Sequence, residues 1–285
     1  MTTVAAALAA ARAKLPAGEA RLLLGHVLER PAAWLIAHDD ELVDEDALLG
    51  FASLVARRAG GEPIAYLVGH REFFGREFSV SPAVLIPRPE TELLIEIALD
   101  KKVGDGALCV PGNSFRGHAA PRILDLGTGS GCIAITLALE IAQAQVSAVD
   151  TSDAALLVAG RNAERHGASV RLLRSDWFAA LAGEHYDLIV ANPPYVAVGD
   201  PHLAAGDLRH EPPVALASGG DGLEDIRRII TAAPTHLATG GQLWLEHGYD
   251  QASAVRGLLE AAGLAEIEQR RDLAGTVRVS GGKLC

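Results

Sequence analysis

The 285-residue chain is poor in sulfur and in aromatic rings, with three cysteines, one methionine and 5% Phe, Trp and Tyr together. Cys109, Cys132 and Cys285 are odd in number and match no metal-ligand spacing. That excludes a disulfide framework and a zinc cluster, and it points to a reducing compartment. The ten histidines are scattered. His202 and His210 share a loop and read as solvent-exposed side chains, so no metal is expected. No apolar run approaches about 20 residues, the length needed to cross a bilayer. The Ala-rich start lacks the basic-then-apolar plan of a secretion signal. No G-x-x-x-x-G-K-[ST] segment occurs, which removes a P-loop. Positive charge is short: 25 Lys and Arg against 36 Asp and Glu give a net charge of −11. A basic footprint for nucleic acid is therefore not expected. No internal repeat is visible.

What is present supports a well-formed core, with 49% hydrophobic residues and a mean hydropathy of +0.20. Residues 1–68 carry apolar positions at helical spacing: Val4, Leu8, Ala11 and Leu15, then Leu22, Leu23 and Val27, then Leu48, Phe51, Leu54 and Val55. Gly60, Gly61 and Pro63 close this stretch, which reads as a small all-helical domain. The acidic cluster of Asp39, Asp40 and Glu41, followed by Asp44, Glu45 and Asp46, reads as a loop and a helix start. Residues 69–87 alternate aromatic and polar side chains and predict a connecting β-hairpin. Residues 88–285 form the largest domain, interrupted by a Gly- and Pro-containing stretch from Lys101 to Pro121 that reads as a mobile linker.

The most informative segment is Asn192-Pro193-Pro194-Tyr195, which follows the apolar run Tyr186–Ala191. Such a run predicts a buried parallel strand. Two prolines cannot continue its ladder, so they end it and stiffen the turn. A rigid ledge results at the carboxyl end of a strand, where open α/β sheets bind ligands. A carboxamide and a proline carbonyl there offer acceptors to an –NH2 group, and Tyr195 offers a flat face. The same residues also suit a plain strand-ending turn with a capping Asn.

Upstream, Arg122 to Leu126 predicts a strand, and Gly127-Thr128-Gly129-Ser130-Gly131 a glycine turn leading to a helix from about Ser130. The spacing is G-x-G-x-G, so the packing glycine of a dinucleotide fold is displaced by one. Asp125, just before the turn, is placed to face a cation such as a sulfonium or ammonium. Asp150 ends the next apolar run, where an acid accepts hydrogen bonds from ribose hydroxyls. A third run from Val170 ends in Asp176-Trp177, a carboxylate and an indole suited to adenine. With Asn192 next in order on successive strand ends, the set favours S-adenosylmethionine over a nicotinamide, a flavin or a nucleotide phosphate.

The chain resembles the bacterial release factor glutamine methyltransferases, the PrmC/HemK family. The resemblance rests on Gly61–Tyr66, Phe73-Phe74-Gly75, Phe78-Ser79-Val80, Leu85–Glu92, Ile123–Ala134, Ser175–Phe178, Asn192–Tyr195, Asp200–Leu203 and Leu245–Gly248. It implies a Rossmann-like class I methyltransferase domain of the α/β class, preceded by a helical bundle that recognises the protein substrate. It implies methylation of the N5 atom of the Gly-Gly-Gln glutamine in peptide chain release factors 1 and 2. In that scheme Asn192 and the Pro193 carbonyl hold the amide, and Pro194 and Tyr195 line its site. Arg88 joins the substrate site or, with Glu90 and Glu92, opens a helix. The enzyme is expected in the cytoplasm, as a monomer, with no membrane and no direct nucleic-acid partner. Three other readings stay open at this point: a ribosomal-protein glutamine methyltransferase, an adenine-N6 nucleic-acid methyltransferase, and a non-catalytic binding protein.

Overall fold

The computed structural model describes residues 2–100 and 120–285. The expected linker therefore lies outside the described residues, apart from Ala120 and Pro121. The chain divides into two compact units. One comprises the residues up to His70 together with Ala205–His210; the other comprises Arg71–Ala204 and Glu211–Cys285.

The first unit pairs two short strands, β1 (Thr2–Thr3) and β2 (Leu42–Val43), and is otherwise helical. Its helices are α1 (Val4–Ala11), α2 (Ala17–Leu28), α3 (Ala32–Ala37), α4 (Glu45–Ala59) and α5 (Ile64–Val68). Asp44 caps α4, accepting from the Ala47 N–H at 2.8 Å, with Glu45 and Asp46 in the first turn. Such a cap contributes about 1 kcal/mol. Leu22, expected on the apolar face of its helix, is instead 47% exposed. The buried stripe of α2 runs through Ala20, Leu23 and Leu24 toward Val27, the i, i+3, i+4, i+7 rhythm that leaves Leu22 outside. Arg58 joins Glu19 and Asp207, donating to their carboxylates at 2.8, 2.9 and 2.7 Å. It thereby fastens the Ala205–His210 segment within this unit.

The hairpin of β3 (His70–Phe73) and β4 (Arg76–Ser79) lies, from Arg71 onward, in the second unit. The two residues of its turn, Phe74 and Gly75, have φ of 50° and 73°, the sign that a tight hairpin requires at both positions. Helix α6 (Glu92–Leu99) follows, then β5 (Arg122–Leu126), α7 (Cys132–Glu140), β6 (Gln145–Asp150), α8 (Asp153–His166), β7 (Val170–Arg174) and β8 (Tyr186–Ala191). The chain ends with α9 (Glu224–Ala232), β9 (Leu237–Glu246), α10 (Ala252–Ala261), β10 (Ala265–Arg271) and β11 (Val277–Lys283).

Seven strands form one sheet in the order β10-β11-β9-β8-β5-β6-β7. The five from β5 to β9 run parallel, and β11 and β10 add antiparallel at one edge. Side chains alternate across the sheet: Ile123, Leu188 and Val190 face a core with α6 and α7, while Leu124, Leu126 and Ile189 face one with α9 and α10. Covering both faces explains why β5 and β8 read as continuous apolar runs. Each large side chain so buried contributes about 1.5–3 kcal/mol. The chain winds outward from β5 to β7 and returns to β8 on the other side of β5. The strand order therefore reverses at β5/β8, and a crevice opens there beyond the strand ends.

Candidate active site

The glycine turn after β5 is the floor of that crevice. Gly127, Gly129 and Gly131 have φ of 72°, 54° and 82°, a conformation other residues adopt at a cost. Gly131, not Ser130, precedes the helix, and α7 starts at Cys132. A Cβ on Gly131 would lie 2.9 Å from Ile135 Cδ1 and 3.1 Å from Ala159 Cβ. Gly131 thus supplies the close helix packing that a G-x-G-x-x-G turn assigns to a later glycine, and it does not line the crevice. Asn162 of α8 is fully buried beneath the turn. Its Nδ2 donates to the Ser130 carbonyl at 2.8 Å and to the Ser79 carbonyl at 3.0 Å.

Asp125 departs from its expected place. It is completely buried, accepts from the Thr128 hydroxyl at 2.6 Å, and leaves its Oδ1 without a partner. Burial pushes its carboxyl up to about 7, the Thr128 hydrogen bond opposing the shift. It supports the turn from below and does not face the cavity. Asp150, at the end of β6, does face it. Its two oxygens accept from the N–H groups of Gly129 and Ser152, each at 2.9 Å. Each carboxylate oxygen keeps a further lone pair for a hydroxyl. The Gly129 N–H is thereby used.

At the end of β7, Trp177 has φ of 47°, unusual for a bulky residue. Ser175 holds it there, donating its hydroxyl to the Trp177 carbonyl at 2.8 Å and accepting from Ala180 N–H at 3.0 Å. The indole lies over the turn: a Cβ on Gly127 would meet Trp177 Cζ3 at 3.3 Å. Its Nε1–H donates to Asp225, in the first turn of α9, at 3.2 Å. Asp176 is paired with Arg228 at 2.7 Å. Asp225 and Arg228 line the cavity as well. Neither was visible as a site residue in the sequence, because β8 and a long connection separate α9 from Asp176.

Across the crevice, Asn192 donates from Nδ2 to Thr91 Oγ1 at 3.0 Å. Thr91 donates to Glu246 Oε2 at 2.6 Å, and the Tyr195 hydroxyl donates to Glu246 Oε1 at 3.1 Å. Glu246 is buried at the end of β9, and burial raises its carboxyl to about 6. The charge of Glu246, with burial, raises the Tyr195 phenol in turn. No donor among the described residues reaches Asn192 Oδ1. The Tyr195 carbonyl accepts from Gln251 Nε2 at 3.0 Å, and Val196 exchanges backbone hydrogen bonds with Leu216 and Ser218 at 2.9 Å. Arg88 is ion-paired with the buried Glu211, which also accepts from the Ile86 N–H at 3.0 Å. Glu92 accepts from the Phe74 N–H at 2.9 Å, a hairpin-to-helix tie.

One cavity of about 390 Å³ gathers Arg88, Gly127, Thr128, Gly129, Ser130, Asp150, Asp176, Trp177, Asn192 and Pro194. The volume falls in the range of small-ligand sites. Pro193 and Tyr195 are not among the side chains that line it. Among the described residues, no group of three or more His, Cys, Asp or Glu is placed to hold a metal ion, and no helix is long and apolar enough to cross a membrane.

A glycine turn, a strand-end acid and an Asn-Pro-Pro-Tyr ledge around one crevice of a seven-stranded, mostly parallel sheet define a Rossmann-like methyltransferase of class I. The sequence family described as the methyltransferase small domain matches residues 112–223, and the PrmC N-terminal domain matches residues 1–69. The release factor glutamine methyltransferase of Bordetella pertussis is 54% identical over 95% of this chain and 96% of its own length. That of Burkholderia pseudomallei is 52% identical over 95% and 93%. The structure of human methyltransferase 10 domain containing protein shares the fold, with a TM-score of 0.54 and 19% identity over 82% of this chain and 98% of that one. The chain belongs to the family of release factor glutamine methyltransferases.

Proposed function

We propose that this protein transfers a methyl group from S-adenosylmethionine to the side-chain amide nitrogen, N5, of the glutamine in the Gly-Gly-Gln motif of bacterial peptide chain release factors. The observation that carries the reading is the Asn192 carboxamide. Its N–H is spent on Thr91 and its oxygen is left as an acceptor at the rim of the cavity. Such an acceptor, joined by the Pro193 carbonyl, fits the two N–H bonds of a primary amide.

The residues suit the cofactor. Two left-handed glycines, Gly127 and Gly129, let the backbone come close to a ligand, Asp150 keeps lone pairs for ribose hydroxyls, and Trp177 offers an apolar face beside Gly127. Thr128, Ser130 and Asp176 complete this wall, where the Asp176 carboxylate, paired with Arg228, would accept from an adenine amine. Bound S-adenosylmethionine supplies an electrophilic methyl on a sulfonium and leaves as the neutral thioether S-adenosylhomocysteine.

An amide nitrogen is a weak nucleophile because its lone pair is delocalised. Asn192 Oδ1 and the Pro193 carbonyl accept its N–H bonds, which draws electron density onto nitrogen and aims the lone pair. Pro194 and Tyr195 keep the ledge rigid behind them. No general base is needed beforehand: the nitrogen becomes cationic on forming its new bond to carbon, and it then gives a proton to water. Positioning and electrostatics of this kind are worth up to several kcal/mol.

The helical unit serves release factor recognition, and the protein acts in the cytoplasm. The test is incubation of the full chain with labelled S-adenosylmethionine and, separately, release factor, ribosomal protein, DNA and RNA. Label on the Gly-Gly-Gln glutamine alone is the expected result. Label on ribosomal protein or adenine instead would overturn the assignment.

A further inference from the structure

Glu246 and Thr91 take no part in the chemistry described so far, yet both are buried beside the substrate ledge, with Thr91 on the wall of the same cavity. Glu246 accepts two hydroxyl protons, from Thr91 at 2.6 Å and from Tyr195 at 3.1 Å. Thr91 is 2% exposed and has a single hydrogen, which this bond consumes. Its oxygen can then only accept. The neighbour at 3.0 Å must therefore be the –NH2 end of Asn192, and the carbonyl end must face the cavity. An Asn side chain is nearly symmetric in shape, so packing alone does not choose between its two orientations. The direction of one buried hydroxyl does.

We infer that the Thr91–Glu246 pair fixes which end of the Asn192 carboxamide faces the cavity. It thereby makes the site selective for a substrate group that donates, a primary amide, over one that only accepts, a carboxylate. Thr91 and Glu246 are positioning residues that act through Asn192. The inference rests on the function proposed above. With Asn192 reversed, an –NH2 group would meet the substrate –NH2 and leave both without an acceptor. Glutamate in the same position would instead gain a donor.

The experiment compares the full-length wild type with Thr91→Val, Thr91→Ser and Glu246→Gln, using intact release factor. Thr91→Val removes the hydroxyl at nearly constant volume. Its kcat is expected to fall about 10- to 100-fold, the scale of a misplaced reacting group, with S-adenosylhomocysteine affinity within twofold of wild type. Thr91→Ser restores most of the turnover. In an Asn192→Ala background, Thr91→Val costs nothing further, because the route to the substrate is already cut. A release factor carrying Glu in place of the Gly-Gly-Gln glutamine competes about tenfold better against Thr91→Val than against wild type. Should Thr91→Val fail to fold, Glu246→Gln carries the same expectations, since a Gln that turns its –NH2 end to Thr91, leaving its oxygen to the Tyr195 hydroxyl, frees the Thr91 hydroxyl to donate to Asn192. Turnover within twofold of wild type, or losses that add in the double variant, overturns the inference alone. A wild type that leaves release factor unmethylated overturns the functional reading, and the inference with it.

Discussion

Asn192 sits where a carboxamide and a carboxylate have opposite consequences. Its Nδ2 donates to a hydroxyl whose own hydrogen is held by Glu246. Asn192→Asp removes the donor and sets a second acceptor against Thr91, beside the place that the proposed function gives the substrate amide. Turnover is expected to fall by about 10²–10³, the usual cost of one oriented polar group in a closed site, while S-adenosylhomocysteine still binds. Single-turnover methylation reads this out, and a rate close to wild type would leave Asn192 as a turn cap only. Asp150 makes a parallel case. Its carboxylate holds Gly129 and Ser152 and keeps lone pairs for ribose. Charge-assisted bonds contribute about 1.5–3 kcal/mol each, so Asp150→Ala should weaken S-adenosylhomocysteine binding at least tenfold by calorimetry. Asp125 has a consequence for stability. Burial raises its carboxyl from 3.8 to about 7, so the folded state holds the proton more tightly than the unfolded chain. Its contribution is complete below pH 4 and is lost as pH rises through about 7. Asp125→Asn keeps an acceptor for Thr128 and removes the titration. Urea unfolding across pH 4–7 should show the variant gaining on wild type as pH rises, and a constant difference would rule the shift out.

At the scale of elements, the site depends on how tightly α7 and α8 pack beneath the glycine turn. Gly131 permits that contact both by its φ of 82° and by lacking a Cβ that would stand 2.9 Å from Ile135. Gly131→Ala combines a strained backbone with overpacking, each worth about 1–3 kcal/mol. The expected result is a clearly lower melting temperature, followed in the same calorimetric scan by a loss of stabilisation by S-adenosylhomocysteine. Unchanged melting would mean that the helices move apart at no cost. The order of strands and helices was legible from periodicity. The first residue of α7 was not: the sequence places it near Ser130, two residues early, because a left-handed Gly131 ends the turn in a way that spacing does not disclose. Asn162, Asp225 and Arg228 were equally hidden, since each acts on a segment remote in sequence and looks like an ordinary polar helix residue.

For the whole molecule, the division into two units separates recognition from chemistry in the proposed scheme. All residues lining the cavity fall in the unit that begins at Arg71. A chain starting there should bind S-adenosylhomocysteine within a few-fold of the full chain yet methylate intact release factor far more slowly at limiting substrate. Equal rates would remove recognition from the helical unit. The sequence by itself determined the parallel sheet, the glycine turn, Asp150, the Asp176-Trp177 pair and the Asn-Pro-Pro-Tyr ledge. These signals are local: each strand end carries its cavity-facing residue beside the apolar run that builds it. Only the tertiary structure decided that Asp125 lies under the turn and away from the cavity, because strand alternation and the start of α7 bury it together. Only the tertiary structure joined Thr91, Asn192, Tyr195 and Glu246. They come from the start of α6 and the ends of β8 and β9, which are far apart in the chain and meet because adjacent parallel strands finish side by side. A hydrogen bond needs its partners within about 3 Å, and sequence spacing sets no such distance across a crossover.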